Sequence, residues 1–198
     1  MTSVVDDARV GSGRPRSTSR ADLERIGFEL FERKGFEATT VDDIAAAAGI
    51  GRRTFFRYFA SKNDLVWGDF EGQLVHLREL LAAVPDDVPI VDGLRTAIVE
   101  FNSFDRAVVP WHRRRMELIL RVPALQADSA LRYHAWRLII TEFAAERTGL
   151  ASNDLEPRLI GSVALAASVA AYELWLEDGE AELSELMDAT FRRLAAGF

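Results

Sequence analysis

Apolar residues return every three to four positions from about residue 20 to residue 196, and nowhere does the chain alternate apolar and polar residues for the length of a strand. A chain with that rhythm buries its stripes by packing helix on helix, so the expected fold class is all-α. Glycine and proline cut the rhythm at Gly35, Gly49, Gly51, Pro85, Pro89, Pro110, Pro123, Gly149 and Gly179. The predicted helices cover 20–34, a short stretch capped by Thr40, Arg52–Tyr58, a helix from Ser61 to about Ala83, then 90–105, 111–121, 125–148, 155–177 and 181–196. Ser19 with Asp22, and Thr40 with Asp43, carry the reciprocal capping pattern of a helix start. The pattern divides the chain into an arm (1–17), a three-helix N-terminal unit (18–62) and a larger helical body (63–198).

The segment 39–62, TTVDDIAAAAGIGRRTFFRYFASK, holds two short helices joined by the turn Gly49-Ile50-Gly51. That is the layout of a helix-turn-helix. Its second helix has two chemistries. Phe55 and Phe59 lie four apart and anchor one side, while Arg52, Arg53 and Arg57 lie toward the other. A short helix with an apolar anchor and an arginine face suits reading of the DNA major groove. A solvated arginine face on a helical interaction protein that does not bind DNA is the alternative. In the arm, Gly13-Arg14-Pro15-Arg16 suits either entry into a minor groove or a solvated tail.

Together with LFERKGF before it, this segment resembles the TetR family of bacterial regulators over about residues 19–64. The resemblance implies that Arg52, Arg53, Thr54 and Arg57 face bases or nearby phosphates. It implies phosphate contacts for Tyr58 and Lys62, and places Thr40 near the DNA backbone as a helix cap. Two positions depart from the family pattern. Phe56 stands where the family often has a phosphate-binding tyrosine, and Gly51 replaces the usual serine cap. In the body, WGDF at 67–70, FNSFD at 101–105, HRRRMELIL at 112–120 and the run 122–143 resemble actinobacterial regulators of the mycofactocin type. The whole then reads as a ligand-responsive repressor that leaves a near-palindromic double-stranded operator when an effector binds.

Charge distribution fits that reading better than its total. The net charge is −7, but residues 9–62 carry 11 basic against 7 acidic side chains, and residues 63–198 carry 13 against 22. Screening lets a local basic surface act on its own. The chain has no cysteine, which removes disulfides, thiolate metal sites and thiol catalysis, and fits a cytoplasmic protein. His76, His112 and His134 lack metal-binding spacing, and no nucleophile elbow or phosphate-binding loop occurs. Neither an enzyme nor a cofactor is expected. The N-terminus has no apolar run of signal-peptide length, and no uninterrupted apolar stretch suggests a membrane span.

The body is longer than a dimer clamp needs. Trp67, Phe70, Phe101, Phe104, Met116, Leu120, Tyr133, Trp136 and Ile140 recur at spacings that suit the lining of one apolar cavity, or alternatively a filled core. Arg113 and Arg114, within an arginine triplet, are the candidate anchors for an anionic effector end. An apolar or acyl effector follows, and the resemblance is compatible with a long-chain acyl-CoA. For a homodimer, the expected seams are Gly161, Leu165, Ser168, Tyr172 and Trp175 on one helix, and Leu183, Met187 and Phe191 on the next.

Overall fold

The computed structural model describes residues 18–197, and the arm 1–17 lies outside them. Every regular element among the described residues is a helix: α1 (Arg20–Lys34), α2 (Val41–Ala47), α3 (Arg52–Tyr58), α4 (Lys62–Trp67), α5 (Phe70–Ala82), α6 (Ile90–Phe101), α7 (Val109–Arg121), α8 (Pro123–Thr148), α9 (Leu155–Glu177) and α10 (Leu183–Ala196). The chain divides into two compact units between Ala60 and Ser61. The expected boundary lay two residues later. Ser61 instead caps α4, accepting the Asp64 amide, and α4 belongs to the second unit.

The first unit is built on its caps. Ser19 and Asp22 close a capping box on α1, and Thr40 and Asp43 close another on α2. Each box satisfies two amides that a helix start otherwise leaves open, worth about 1 kcal/mol per cap. Lys34 pairs with Asp43 at 2.9 Å, and that ammonium, with the amide and hydroxyl of Thr40, holds the Asp43 carboxyl well below the usual carboxylate range. Gly49, at φ 66°, makes the turn into α3. Leu23, Phe31, Ile44, Phe55 and Phe59 are buried, with Phe31 on Phe36 at 5.0 Å and Phe55 on Phe59 at 5.7 Å.

In the second unit, one cluster joins Leu77 and Leu81 of α5, Leu94 and Ile98 of α6, Trp136, Ile140 and Phe143 of α8, Trp175 of α9, and Met187 and Phe191 of α10. α8 and α9 approach closely at Gly161: a Cβ there would stand 2.3 Å from Thr141 Oγ1 and 3.0 Å from the Arg137 carbonyl. α10 is tied to α6 by Arg95 and Asp188 at 2.6 Å. Arg147 stacks on Phe143 and bonds the carbonyls of Val84, Asp86 and Val88, closing the α5–α6 connection onto α8.

The single helix expected from Ser61 to Ala83 is two helices. Gly68 adopts φ 63°, ψ −138°, Arg115 of α7 takes the Trp67 carbonyl at 3.0 Å, and Asp69 restarts the helix by accepting the Gly72 amide. A Cβ on Gly68 would lie 2.1 Å from the Arg115 guanidinium, so any side chain there would both strain the positive φ and displace the arginine.

α9 is long and apolar enough to cross a membrane by length and composition, a possibility that inspection of uninterrupted runs did not flag. Only 28% of its apolar window is buried. Its packed side, Gly161, Ala164, Ser168, Ala171 and Trp175, sits on its own unit. Its open side carries Leu155 (82% exposed), Leu159 (55%) and Leu174 (52%).

Candidate functional site

α3 presents its two chemistries on opposite sides. Phe55 and Phe59 are 0% and 2% exposed, whereas Arg52, Arg53 and Arg57 are all exposed and Thr54 is half-buried. The three arginines differ in what holds them. Arg52 pairs with Asp42 of α2 at 2.8 Å and lies over the Phe56 ring. Both partners are open to solvent, so that pair is worth about 1 kcal/mol or less and exchanges readily for another anion. Arg57 lies over the Tyr58 ring at 5.3 Å. Arg53 is in no ion pair among the described residues.

Tyr58 and Thr40 do not stand as the resemblance implied. Tyr58 donates its hydroxyl proton to the Thr18 carbonyl at 2.6 Å. A phosphate oxygen only accepts, and a phenol has one proton, so a phosphate contact from Tyr58 requires that bond to break. The Thr40 hydroxyl likewise donates to Asp43 at 2.8 Å while accepting the Asp43 amide, a capping role that leaves it no proton for a phosphate. Lys62 is the first residue of α4 in the second unit and is half-buried. Phe56 remains 43% exposed, an apolar ring on the solvent side of α3.

In the second unit the nine predicted lining residues fall into groups. Trp67 meets Phe70 at 5.4 Å and Tyr133 at 6.1 Å, with the Arg132 guanidinium over its indole at 4.9 Å. Phe101, Phe104 and Met116 are half-buried against the main cluster, Leu120 is half-buried on α7, and Trp136 and Ile140 stand inside the cluster as packed core. An open groove of about 320 Å³ runs along α5 and α8, lined by none of the nine.

Sequence reasoning missed a buried polar chain beside them. Tyr172 donates to Asn102 Oδ1 at 2.6 Å, so His112 Nε2, 2.9 Å from the Tyr172 oxygen, must be the donor of that pair. Phe104 stacks on His112 at 4.0 Å, and Trp175 lies 5.9 Å away. Burial, with the Arg115 charge adding to it, lowers the His112 pKa from 6.5 to about 4, and burial pushes Tyr172 far above the ordinary tyrosine value. The ring is therefore neutral in the folded protein, and on acidification the unfolded chain binds a proton first. The stability contributed by this residue is complete above pH about 6.5 and is lost progressively down to pH about 4, about 3 kcal/mol in all. Denaturant melts from pH 7 to 4 should show this decline, and His112→Gln should flatten it; an unchanged slope in the variant would refute the assignment.

Arg113 is not placed as an anion anchor. It lies over the Trp175 ring at 4.2 Å and bonds the carbonyls of Trp175 at 2.5 Å and Asp178 at 3.3 Å, satisfying the C-terminal end of α9. Arg114 lies on the exposed side of α7. The expected dimer seams are also corrected. Gly161, Ser168, Trp175, Leu183, Met187 and Phe191 are buried, and Leu165 and Tyr172 pack partly buried on the same cluster. They are the inward faces of α9 and α10, already covered by α6 and α8, and so are closed to a second copy.

Two family models match the chain. Residues 26–66 match the bacterial regulatory proteins of the tetR family, and residues 88–198 match the MftR C-terminal domain. A Mycobacterium tuberculosis protein named for the transcriptional regulation of mycofactocin biosynthesis is 43% identical over 185 residues, which cover 93% of each chain. The HTH-type transcriptional regulator TcmR of Streptomyces glaucescens is 28% identical over 85% of this chain and 77% of its own. Among solved structures, FadR of Thermus thermophilus in complex with lauroyl-CoA covers 91% of this chain and 95% of its own with a TM-score of 0.56 at 22% identity. FadR of Bacillus subtilis in complex with stearoyl-CoA covers 91% and 100% with a TM-score of 0.63 at 16% identity. At these identities the structures show a shared fold.

Proposed function

The chain belongs to the TetR family of bacterial transcriptional regulators, with a C-terminal domain of the MftR type, and on that premise we propose that it is a DNA-binding repressor released by an acyl effector. The observation that carries the DNA half is the split of α3 into buried Phe55 and Phe59 and exposed Arg52, Arg53 and Arg57. Arg53 and Arg57 are the principal contacts in this reading, with Arg52 joining them by exchanging Asp42 for a DNA group. Thr54, half-buried on the same helix, supplies a shorter polar contact.

A second copy is the partner of the open side of α9. Leu155, Leu159, Ala166, Ala170 and Leu174 form one stripe at helical spacing, exposed in the protomer. Stripes of that kind mark interaction surfaces, and a two-fold pair is the common closed solution. Two recognition helices then read successive major grooves of a near-palindromic site, about 34–36 Å apart.

The effector reading rests on the aromatic interior of the second unit and on the acyl-CoA ligands named with the two FadR structures. An effector releases DNA only to the extent that it prefers the non-binding state. Palmitoyl-CoA, palmitate and CoA alone should therefore be titrated into the complex with an operator selected from random DNA. Palmitoyl-CoA is expected to release the DNA, palmitate to act weakly and CoA to do nothing. A complex that survives saturating palmitoyl-CoA would overturn the acyl half of the reading and leave the DNA half intact.

A further inference from the structure

Two polar atoms at the centre of the α4–α8 aromatic group have no hydrogen-bond partner: Trp67 Nε1 and Tyr133 Oη are both buried and unbonded among the described residues. Trp67 is 9% exposed, and the two rings meet edge to face at 6.1 Å. Beside Tyr133, the Ser129 hydroxyl commits its own proton to the Leu125 carbonyl at 2.7 Å. Leaving a buried donor unpaired is unfavourable, and two on facing rings are unusual; the other such atom among the described residues, Arg95 Nε, lies apart from them beside the Asp92 carboxylate. Both groups are obligate donors toward an oxygen: an indole N–H has no lone pair to offer, and burial keeps the phenol protonated.

We propose that Trp67 Nε1 and Tyr133 Oη are polar contacts of the effector site, donating to an uncharged carbonyl oxygen of the effector. The proposal rests on the reading of the second unit as effector-binding and adds the chemical group that it recognises. The surroundings select a neutral acceptor over a carboxylate. Arg132, beside Trp67, is already held between Asp64 and Asp128, Arg115 bonds the Trp67 carbonyl, and Arg113 bonds the end of α9. An anion between the two donors would be buried without a free cation, whereas a thioester, ester or ketone oxygen needs only the two hydrogen bonds. A pure hydrocarbon would leave both donors unpaired.

The test compares ligands that differ by that one oxygen. Palmitoyl-CoA and its thioether S-hexadecyl-CoA, and methyl undecyl ketone and tridecane, are titrated into the full-length protein, its Tyr133→Phe variant and its Trp67→Phe variant. The Trp67 indole N–H is followed by NMR and assigned by its loss in Trp67→Phe. The thioester should bind about tenfold or more tighter than the thioether, and the Trp67 signal should move downfield with carbonyl ligands only. Tyr133→Phe should cut the thioester's advantage over the thioether several-fold without lowering the melting temperature of the free protein, because it removes one of the two donors and an unpaired buried hydroxyl. Equal affinity for thioester and thioether in the unmodified protein, or an unmoved indole signal at saturation, overturns the proposal. If neither CoA compound binds but the ketone does, with the same shift and the same loss in Tyr133→Phe, the acyl-CoA reading fails and the role of the two donors stands. If no carbonyl compound binds, the proposal fails, whatever the operator assay shows.

Discussion

The double variant Arg53→Ala/Arg57→Ala is expected to bind its operator roughly a hundredfold more weakly than the unmodified protein, since each well-placed arginine contact is worth about 1–3 kcal/mol of discrimination. The two residues are exposed on the side of α3 opposite Phe55 and Phe59, so their removal leaves the packing of the unit untouched. Thermal stability should accordingly change by less than about 0.5 kcal/mol. Arg53 has no ion pair to surrender among the described residues, so its full contribution is available to DNA. Arg52 differs, because it must first leave Asp42, and Arg52→Ala alone should have a smaller effect. Anisotropy titrations across a range of salt should also show a shallower salt dependence for the double variant. Wild-type affinity and sequence preference in the double variant would show that α3 does not read the operator.

Two arginines placed two residues apart on α9 should have opposite consequences. Ser168 is 6% exposed, bonds the Ala164 carbonyl at 2.8 Å, and has Ala164 and Ala171 as buried neighbours on its face. Ser168→Arg would force a guanidinium into that packed contact, at a cost of several kcal/mol, and should unfold the second unit. Ala166 lies on the exposed stripe with Leu159 and Ala170. Ala166→Arg should leave the protomer folded, with its helical circular dichroism and a cooperative melt, and convert a micromolar dimer to a monomer by light scattering. Dimer loss should lower its melting temperature in a concentration-dependent comparison. A folded monomer from Ser168→Arg, with an intact dimer from Ala166→Arg, would reverse the assignment of the two faces.

Local rules were enough for the helix starts and for α3. The pairs Ser19–Asp22 and Thr40–Asp43 lie three residues apart, and a capping box is decided within that distance. The opposition of Phe55 and Phe59 to Arg52, Arg53 and Arg57 follows from the helical period alone. The family was legible for the same reason, its motifs lying in one contiguous segment. Gly68 shows where local reading ends: a lone glycine in a helical pattern is tolerable, and the break it makes leaves the Trp67 carbonyl to Arg115, 47 positions on.

The sequence by itself thus determined the all-helical class, the capped three-helix unit and the two-sided recognition helix, because each depends on residues within a turn or two of one another. The tertiary structure alone decided which side of α9 is buried, what Arg113 holds, and that His112, Tyr172 and Asn102 form one chain. α9 is apolar around most of its circumference, so its periodicity admits two seams. Small residues such as Gly161 and Ser168 permit close approach to any helix, whether in the same chain or another. Three consecutive arginines point in three directions about 100° apart, and which of them meets a carbonyl depends on where the end of α9 arrives. Such choices are made by contacts between residues from 20 to 70 positions apart, and no local pattern encodes them.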